Sequence, residues 1–122
     1  MNPVAQTNTT AAIKLGDSPI PATAITEGKP VARIWVATQS PDLKLTQGVW
    51  DCTAGKWNWD YTWDEFVMIL EGEAIISPVG GKPFTLRVGD FASFPLGLKV
   101  EWHVPKYVKK TFVLRTPEPF KL

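Results

Sequence analysis

An all-β domain, either an antiparallel sandwich or a barrel, is the fold class that the 122-residue sequence predicts. Clean two-residue alternation recurs through Trp57–Trp63, Phe84–Val88 and Leu98–Val104, which is the period of side chains on an extended strand. Eleven prolines and nine glycines punctuate these runs at turn-like positions, as in a chain of many short strands. No stretch sustains a helical period.

Taken in order, residues 1–30 are rich in Thr, Ala and Pro and show no sustained strand or helix pattern. They read as an arm lying across the barrel or a partner subunit, with a mobile start. A single barrel domain is expected over residues 31–116. Val31–Ala37 opens it, with β-branched and aromatic residues around Arg33. Ser40-Pro41-Asp42 turns the chain into Leu45–Thr53, and Ala54-Gly55 reads as a turn into the aromatic stretch. Gly72 separates Phe66–Leu70 from Ala74–Ser77 at hairpin distance. Gly80-Gly81, between Pro78 and Pro83, marks a second hairpin. Phe84–Val88, Phe91–Phe94 and Leu98–Val104 follow, set apart by Gly89-Asp90 and by Pro95-Leu96-Gly97, and Val108–Arg115 closes the domain. Residues 117–122 form an extended tail.

Composition narrows the function classes. A 44% apolar, 20% charged chain of this length can bury roughly two-thirds of its unfolded surface without a disulfide or metal staple. A net charge of +1 with interspersed signs provides no footprint for nucleic acid or an anionic membrane. The longest wholly apolar run, Phe66–Leu70, is far shorter than a membrane span. One cysteine, Cys52, and an N-terminus without a basic start or apolar core lead to the expectation of a cytoplasmic protein.

The chemistry concentrates between Gly55 and Gly72. Trp57, Trp59, Tyr61 and Trp63 share one face of a strand, and Asn58, Asp60, Thr62 and Asp64 the other. Parity places Glu65 on the aromatic face. A carboxylate there must be paired, hydrogen-bonded or protonated. It serves either as a structural hydrogen-bond acceptor, for Tyr61 or an indole N–H, or as a general acid–base or ligand anchor. Trp57, Trp59, Trp63 and Trp102 either fill the barrel or wall a ligand pocket able to stack flat or sugar-like molecules. Lys110 shares parity with Val108, Phe112 and Leu114. So long a side chain by default runs to the rim; the alternative is a pair with Glu65. Asp60 and Asp64 read as solvated surface. His103 alternates away from Trp102 and is not expected to be a ligand, and no metal or cofactor is expected. Phe66, Met68 and Leu70 are apolar on the outward parity, which anticipates cover by the arm or by a second copy in a homodimer.

Two stretches resemble the cupin superfamily. In the first signature of that family, Gly-x5-His-x-His-x3–4-Glu-x6-Gly, Glu65 and Gly72 match, the histidines fall on Trp59 and Tyr61, and Gly55 lies two residues too close. In the second, Gly-x5-Pro-x-Gly-x2-His-x3-Asn, Gly89, Pro95 and Gly97 match, while the histidine falls on Val100 and the asparagine on Val104. Over residues 45–115 the chain is similar to a histidine-poor branch, the third cupin family, which includes ureidoglycine aminohydrolase-like and ethanolamine-utilisation-like proteins. Its run W-D-Y-x-x-D-E-F-x-x-I-L-E-G is present from Trp59 to Gly72. The resemblance implies a double-stranded β-helix (jelly-roll) barrel that dimerises. The leading functional expectation is binding of a small polar or nitrogen-containing metabolite without the usual histidine metal site. A non-catalytic dimerisation or ligand-sensing module is the alternative, and a metal-dependent enzyme with atypical ligands the third.

Overall fold

The computed structural model describes residues 3–121; residues 1–2 of the expected arm and 122 of the expected tail lie outside the described residues. The chain forms eight strands, β1 (Gly16–Asp17), β2 (Ile25–Gly28), β3 (Ala32–Gln39), β4 (Leu45–Asp60), β5 (Asp64–Pro78), β6 (Phe84–Arg87), β7 (Phe91–Phe94) and β8 (Lys99–Arg115), with one 3-10 turn at Ala22–Ala24. Every pairing is antiparallel, in the order β1-β3-β4-β8-β5-β6, with β2 also on β4 and β7 also on β5.

Six of the nine segments expected from the sequence merge into three double-length strands. Ala54-Gly55 is not a turn but a bulge, where the β4–β8 register slips between Thr53 and Gly55. Gly72 is not a hairpin: β5 runs through it, with slips between Ile69 and Ile75. Pro105 and Lys106 interrupt the pairing inside β8, where a proline need donate no ladder hydrogen bond. These interruptions stack at one level of the molecule. On one side of it lie β1, β3, residues 45–53, 107–115 and 64–71, and β7. On the other lie β2, residues 55–60, 99–104 and 72–78, and β6. Strands that bend through bulges pass from one layer to the other, which is how three long strands build both walls of a jelly roll. Gly72 is required at its bend: its φ is +70°, and a Cβ there would lie 1.9 Å from the Tyr107 carbonyl oxygen.

The arm is more ordered than its composition predicts. β1 pairs with β3 and β2 with β4, so it contributes edge strands to both layers. Farther out, Gln6 Nε2 donates to the Ala37 carbonyl at 2.8 Å and Lys109 Nζ to the Thr10 carbonyl at 3.3 Å. The arm therefore crosses the outer face of the first layer. Phe66 and Met68 nonetheless stay 50% and 41% exposed, beside Phe91 at 81%.

Between the walls pack Cys52, Val67, Ile69, Ala74, Ile76, Val100, Val104 and Val108. Burial, and then the neighbouring Asp51 carboxylate, pushes the Cys52 thiol up to about 12; it is a small apolar filler. On the outer face a row of alternating charge runs Arg33, Asp51, Lys109, Glu71 across adjacent strands. Asp51 receives Arg33 Nε at 3.0 Å and Tyr107 Oη at 2.7 Å. Burial alone would raise this carboxyl, but the hydrogen bonds from Arg33 and Tyr107 hold it below its ordinary value. A depressed folded value stabilises the fold at pH above the unfolded value of about 3.9 and ceases to do so as pH falls through the folded one. Urea midpoints should therefore fall as pH drops below about 4, and Asp51→Asn should flatten that acid limb relative to the native chain.

Candidate functional site

Strand parity and the β4 bulge together assemble the site. Before the bulge the even residues of β4 point inward, Trp50 and Cys52 among them; after it the odd ones do, Trp57 and Trp59 among them. Trp50 thus joins the aromatic set although its parity in the sequence opposes that of Trp57. The bulge is the signal that sequence reading missed, because Ala54-Gly55 resembles an ordinary turn. Trp57 and Trp102 stack nearly parallel, with centroids 6.0 Å apart, and Trp50 leans on both at 6.1 and 5.9 Å. Tyr61 stacks on Phe94 at 5.0 Å, and its hydroxyl accepts the Trp102 indole N–H at 3.1 Å. Burial, and then the Glu65 carboxylate, pushes the Tyr61 phenol well above its ordinary value, so it stays neutral and keeps a proton to donate.

Glu65 and Lys110 meet inside this enclosure. They are 6% and 5% exposed, and Lys110 Nζ donates to Glu65 Oε2 at 2.6 Å. Lys110 does not run to the rim. Its register partner on β4 is Trp50, and its ammonium lies 4.5 Å from the Trp50 ring centroid and 4.7 Å from that of Trp102. Two ring faces and a carboxylate offset the desolvation that would otherwise drive the cation outward. The other carboxylate oxygen, Oε1, accepts the Trp63 indole N–H at 3.2 Å. Trp63 itself is braced by Trp59 and, edge-on, by Phe120 of the C-terminal tail.

A cavity of about 140 Å³ opens onto this group. Glu65, Lys110, Tyr61, Trp57, Trp59, Trp63 and Trp102, the seven residues singled out from the sequence, all line it, joined by Trp50, Ile34, Phe112 and Leu114. Its mouth is bordered by Ser18, Pro19 and Ile20 of the arm and by Phe120, none of which carries a sequence signature. The tail is tied down where Phe120 N–H donates to the Leu43 carbonyl at 2.8 Å and its carbonyl accepts Gln39 Nε2 at 2.7 Å. An engineered apolar cavity of about 150 Å³ admits benzene. The space therefore suits a molecule of about one small ring, held by a carboxylate acceptor, an ammonium donor and a neutral phenol.

The remaining polar residues stand apart. Asp60 pairs with Lys99 at 3.0 Å on the surface, and Asp64 accepts the Leu96 backbone N–H at 2.9 Å. His103 is half-buried on the outward parity, opposite Lys56 and Ile75. Among the described residues no three His, Cys, Asp or Glu side chains converge as metal ligands. The residues at the signature positions do not fit a resident metal: Trp59, Tyr61 and Val100 replace imidazoles, and the one carboxylate, Glu65, already has Lys110 and Trp63 on its two oxygens.

The family model for the EutQ-like cupin domain matches residues 39–112. A Pseudomonas syringae protein of unknown function, of the DUF861 family, superposes with a TM-score of 0.78 at 23% identity, covering 84% of this chain and 45% of its own. A putative ethanolamine utilization protein Q from Salmonella typhimurium gives 0.62 at 22% identity, covering 70% and 69%. A DUF861 family protein from Thermotoga maritima is 32% identical over 54% of this chain and 75% of its own, with a TM-score of 0.52. The chain spans less than half the length of the Pseudomonas protein. No curated protein matches, and no described helix is long and apolar enough to cross a membrane.

Removing one member of a buried pair strands the other and costs about 3–5 kcal/mol. Lys110→Met and Glu65→Gln should each lower the unfolding free energy on that scale in urea titrations. The double variant should lose clearly less than the sum, because the two side chains share one interaction; additive losses would mean that they act independently.

Proposed function

The chain belongs to the EutQ-like cupin domain family, and from that premise we propose that it binds a small, polar, nitrogen-containing metabolite in the aromatic cavity, with Glu65 accepting an N–H of the ligand on a lone pair that Lys110 and Trp63 leave open and Tyr61 supplying a second polar contact. The observation that carries this reading is the cavity of about 140 Å³ that reaches the buried Glu65–Lys110 pair. A packed structural module gains stability by filling such a space with apolar side chains, and a buried ion pair is often no more stable than a hydrophobic replacement. Retaining both the hollow and the pair is therefore costly for the fold alone and useful for a ligand. Because the two charges cancel, the pocket favours a ligand that is itself neutral or zwitterionic. Its size limits the ligand to about the bulk of one small ring. The rings of Trp57, Trp59, Trp63 and Trp102 supply flat apolar walls, while the donors and acceptors set orientation.

A thermal-shift screen of the native protein against small amines, amides, sugars and acids tests this. A ligand present at a hundred times its Kd stabilises by about 2.7 kcal/mol, which should raise the melting temperature by several degrees. The stabilising compounds should be nitrogen-containing, and the shift should disappear in Glu65→Gln. Hits that survive that substitution remove Glu65 as the anchor.

The alternative reading, a module for self-association, draws on the outer face of the first layer. Met68 and Phe91 pair across β5 and β7, with Phe66 in the next row, and all three are exposed; the row continues through Thr111 and the already buried Val49 to Trp35. We propose that a second copy covers this band, giving a homodimer whose pockets open away from the contact. Size-exclusion chromatography with light scattering should give twice the 13.5 kDa chain mass, reverting to monomer on Phe66→Lys with Met68→Lys; a monomeric native protein removes the dimer.

A further inference from the structure

We propose that the Lys110 ammonium takes, beside Glu65, the place that a metal ion holds in the histidine-bearing form of the signature, and that it receives a carbonyl or carboxylate oxygen of the ligand. This rests on the pocket reading above and adds which ligand atom is held, and by what.

The donor set is the first argument. At the signature positions Trp59 and Tyr61 bring rings and Val100 an isopropyl group, so Glu65 is the sole anionic donor, and Lys110 and Trp63 already engage its two oxygens. A divalent ion bound to the same carboxylate would lie within a few ångströms of Nζ in a largely dry enclosure, where like charges repel strongly. One cation fits beside Glu65, and the chain carries it covalently. The shell around Nζ is the second argument. A carboxylate oxygen at 2.6 Å and two indole faces at 4.5 and 4.7 Å are the surroundings that suit an ammonium ion. They suit a metal ion poorly, because hard cations require several oxygen or nitrogen ligands.

Unused donor capacity is the third argument. An ammonium has three N–H bonds, and Nζ has one oxygen acceptor among the described residues, Glu65 Oε2. Lys110 is more than nine-tenths buried and lines the cavity, so the acceptor that completes its hydrogen bonding reaches it through the cavity, as a water or as the oxygen of a ligand that displaces it. A carbonyl or carboxylate oxygen is the strongest candidate. Held on a fixed cation, that oxygen gains the polarisation that a Lewis-acidic ion would otherwise provide. A ligand with an N–H beside the same carbonyl, as in a carboxamide, satisfies Lys110 and Glu65 together.

Chemical rescue tests the cation's role without any ligand. Lys110→Ala deletes the equivalent of n-propylammonium. Millimolar n-propylammonium chloride should raise the melting temperature of Lys110→Ala by several degrees, and n-propanol should not. The native chain and the Lys110→Ala, Glu65→Gln double variant should not respond. If Lys110→Ala does not fold unaided, its refolding yield from urea with and without the guest is the readout. Indifference to the guest overturns the proposal, as does stoichiometric uptake of manganese, iron or zinc by the native protein in calorimetry and elemental analysis. For the ligand oxygen, propionamide and propionate titrated into the native protein should shift the indole N–H resonances of Trp50 and Trp102, and Lys110→Met should abolish this. Binding of n-propylamine with neither oxygen probe sinks the oxygen assignment and leaves the pocket reading standing. If none of these probes, and no compound in the thermal-shift screen, binds, the pocket reading falls, while the rescue result still decides the cation's role.

Discussion

The contact between Glu65 and Lys110 governs the interior of this barrel. Two opposite charges held away from water gain stability only if the residual capacity of each is met. The carboxylate meets its share through Lys110 and the Trp63 indole, and the faces of Trp50 and Trp102 offset part of the hydration that the ammonium gives up. That requirement accounts for three of the six tryptophans, Trp50, Trp63 and Trp102. Indole is the side chain that presents a broad π-face to a cation and an N–H donor to an anion. Leucine in these places would leave the space of the larger indoles unfilled and both charges stranded.

The scaffold can deliver those indoles because its principal strands are bent. Trp50 and Trp57 are seven residues apart on one strand, yet both face the cavity, since the slip at Thr53–Gly55 restores inward direction at the corner between layers. Trp102 reaches the same group from β8, across the irregularity at Pro105–Lys106 from Lys110. The first half of β4 and the first half of β8 therefore each contribute one ring face to the ammonium, and Trp57 from the second half of β4 backs both rings. The glycine at the β5 corner is forced by the Tyr107 carbonyl, which occupies the space any side chain would need. Corner geometry and site geometry are one problem: straightening either long strand would turn half the aromatic wall outward.

Much of this was legible in the sequence, for reasons that also mark where legibility stopped. Parity is a local property, so the inward face of Trp57 and Trp59 follows from counting along β4, as does the inward direction of Lys110 along β8; the expected strand breaks at residues 61–63, between β4 and β5, yet Tyr61, Trp63 and Glu65 still line the same cavity. The end point of a long side chain is not local. Glu65 is paired in register with Leu114, four residues along β8 from Lys110, and whether the two groups meet depends on sheet curvature that no spacing encodes. Corners were misread as turns because glycine and proline serve bulges and hairpins equally well. Each such corner splits one strand into two when read from the sequence, and the one at Ala54-Gly55 also hides the phase change that brings Trp50 inward. The arm and tail were opaque for a further reason. Ser18, Pro19, Ile20 and Phe120 reach the cavity mouth by packing and backbone hydrogen bonds from short or irregular segments, which have no period to detect.

The mouth therefore has a different physical character from the floor. Trp57, Trp102 and Tyr61 are nearly fully buried and locked ring against ring, so the floor cannot adjust without disturbing the core. The rim rests on a two-residue strand and on a tail secured by two backbone hydrogen bonds at Phe120. Segments with few such ties open at much lower free energy than core strands do. Phe120 nevertheless touches the chemistry through one intermediary: its ring braces Trp63, whose indole N–H holds Glu65. Movement of the tail would thus loosen one of the two bonds fixing the carboxylate and leave the Lys110 bond in place. The floor is thus fixed by the core and the rim by a few hydrogen bonds, and both sets of contacts end on the same glutamate.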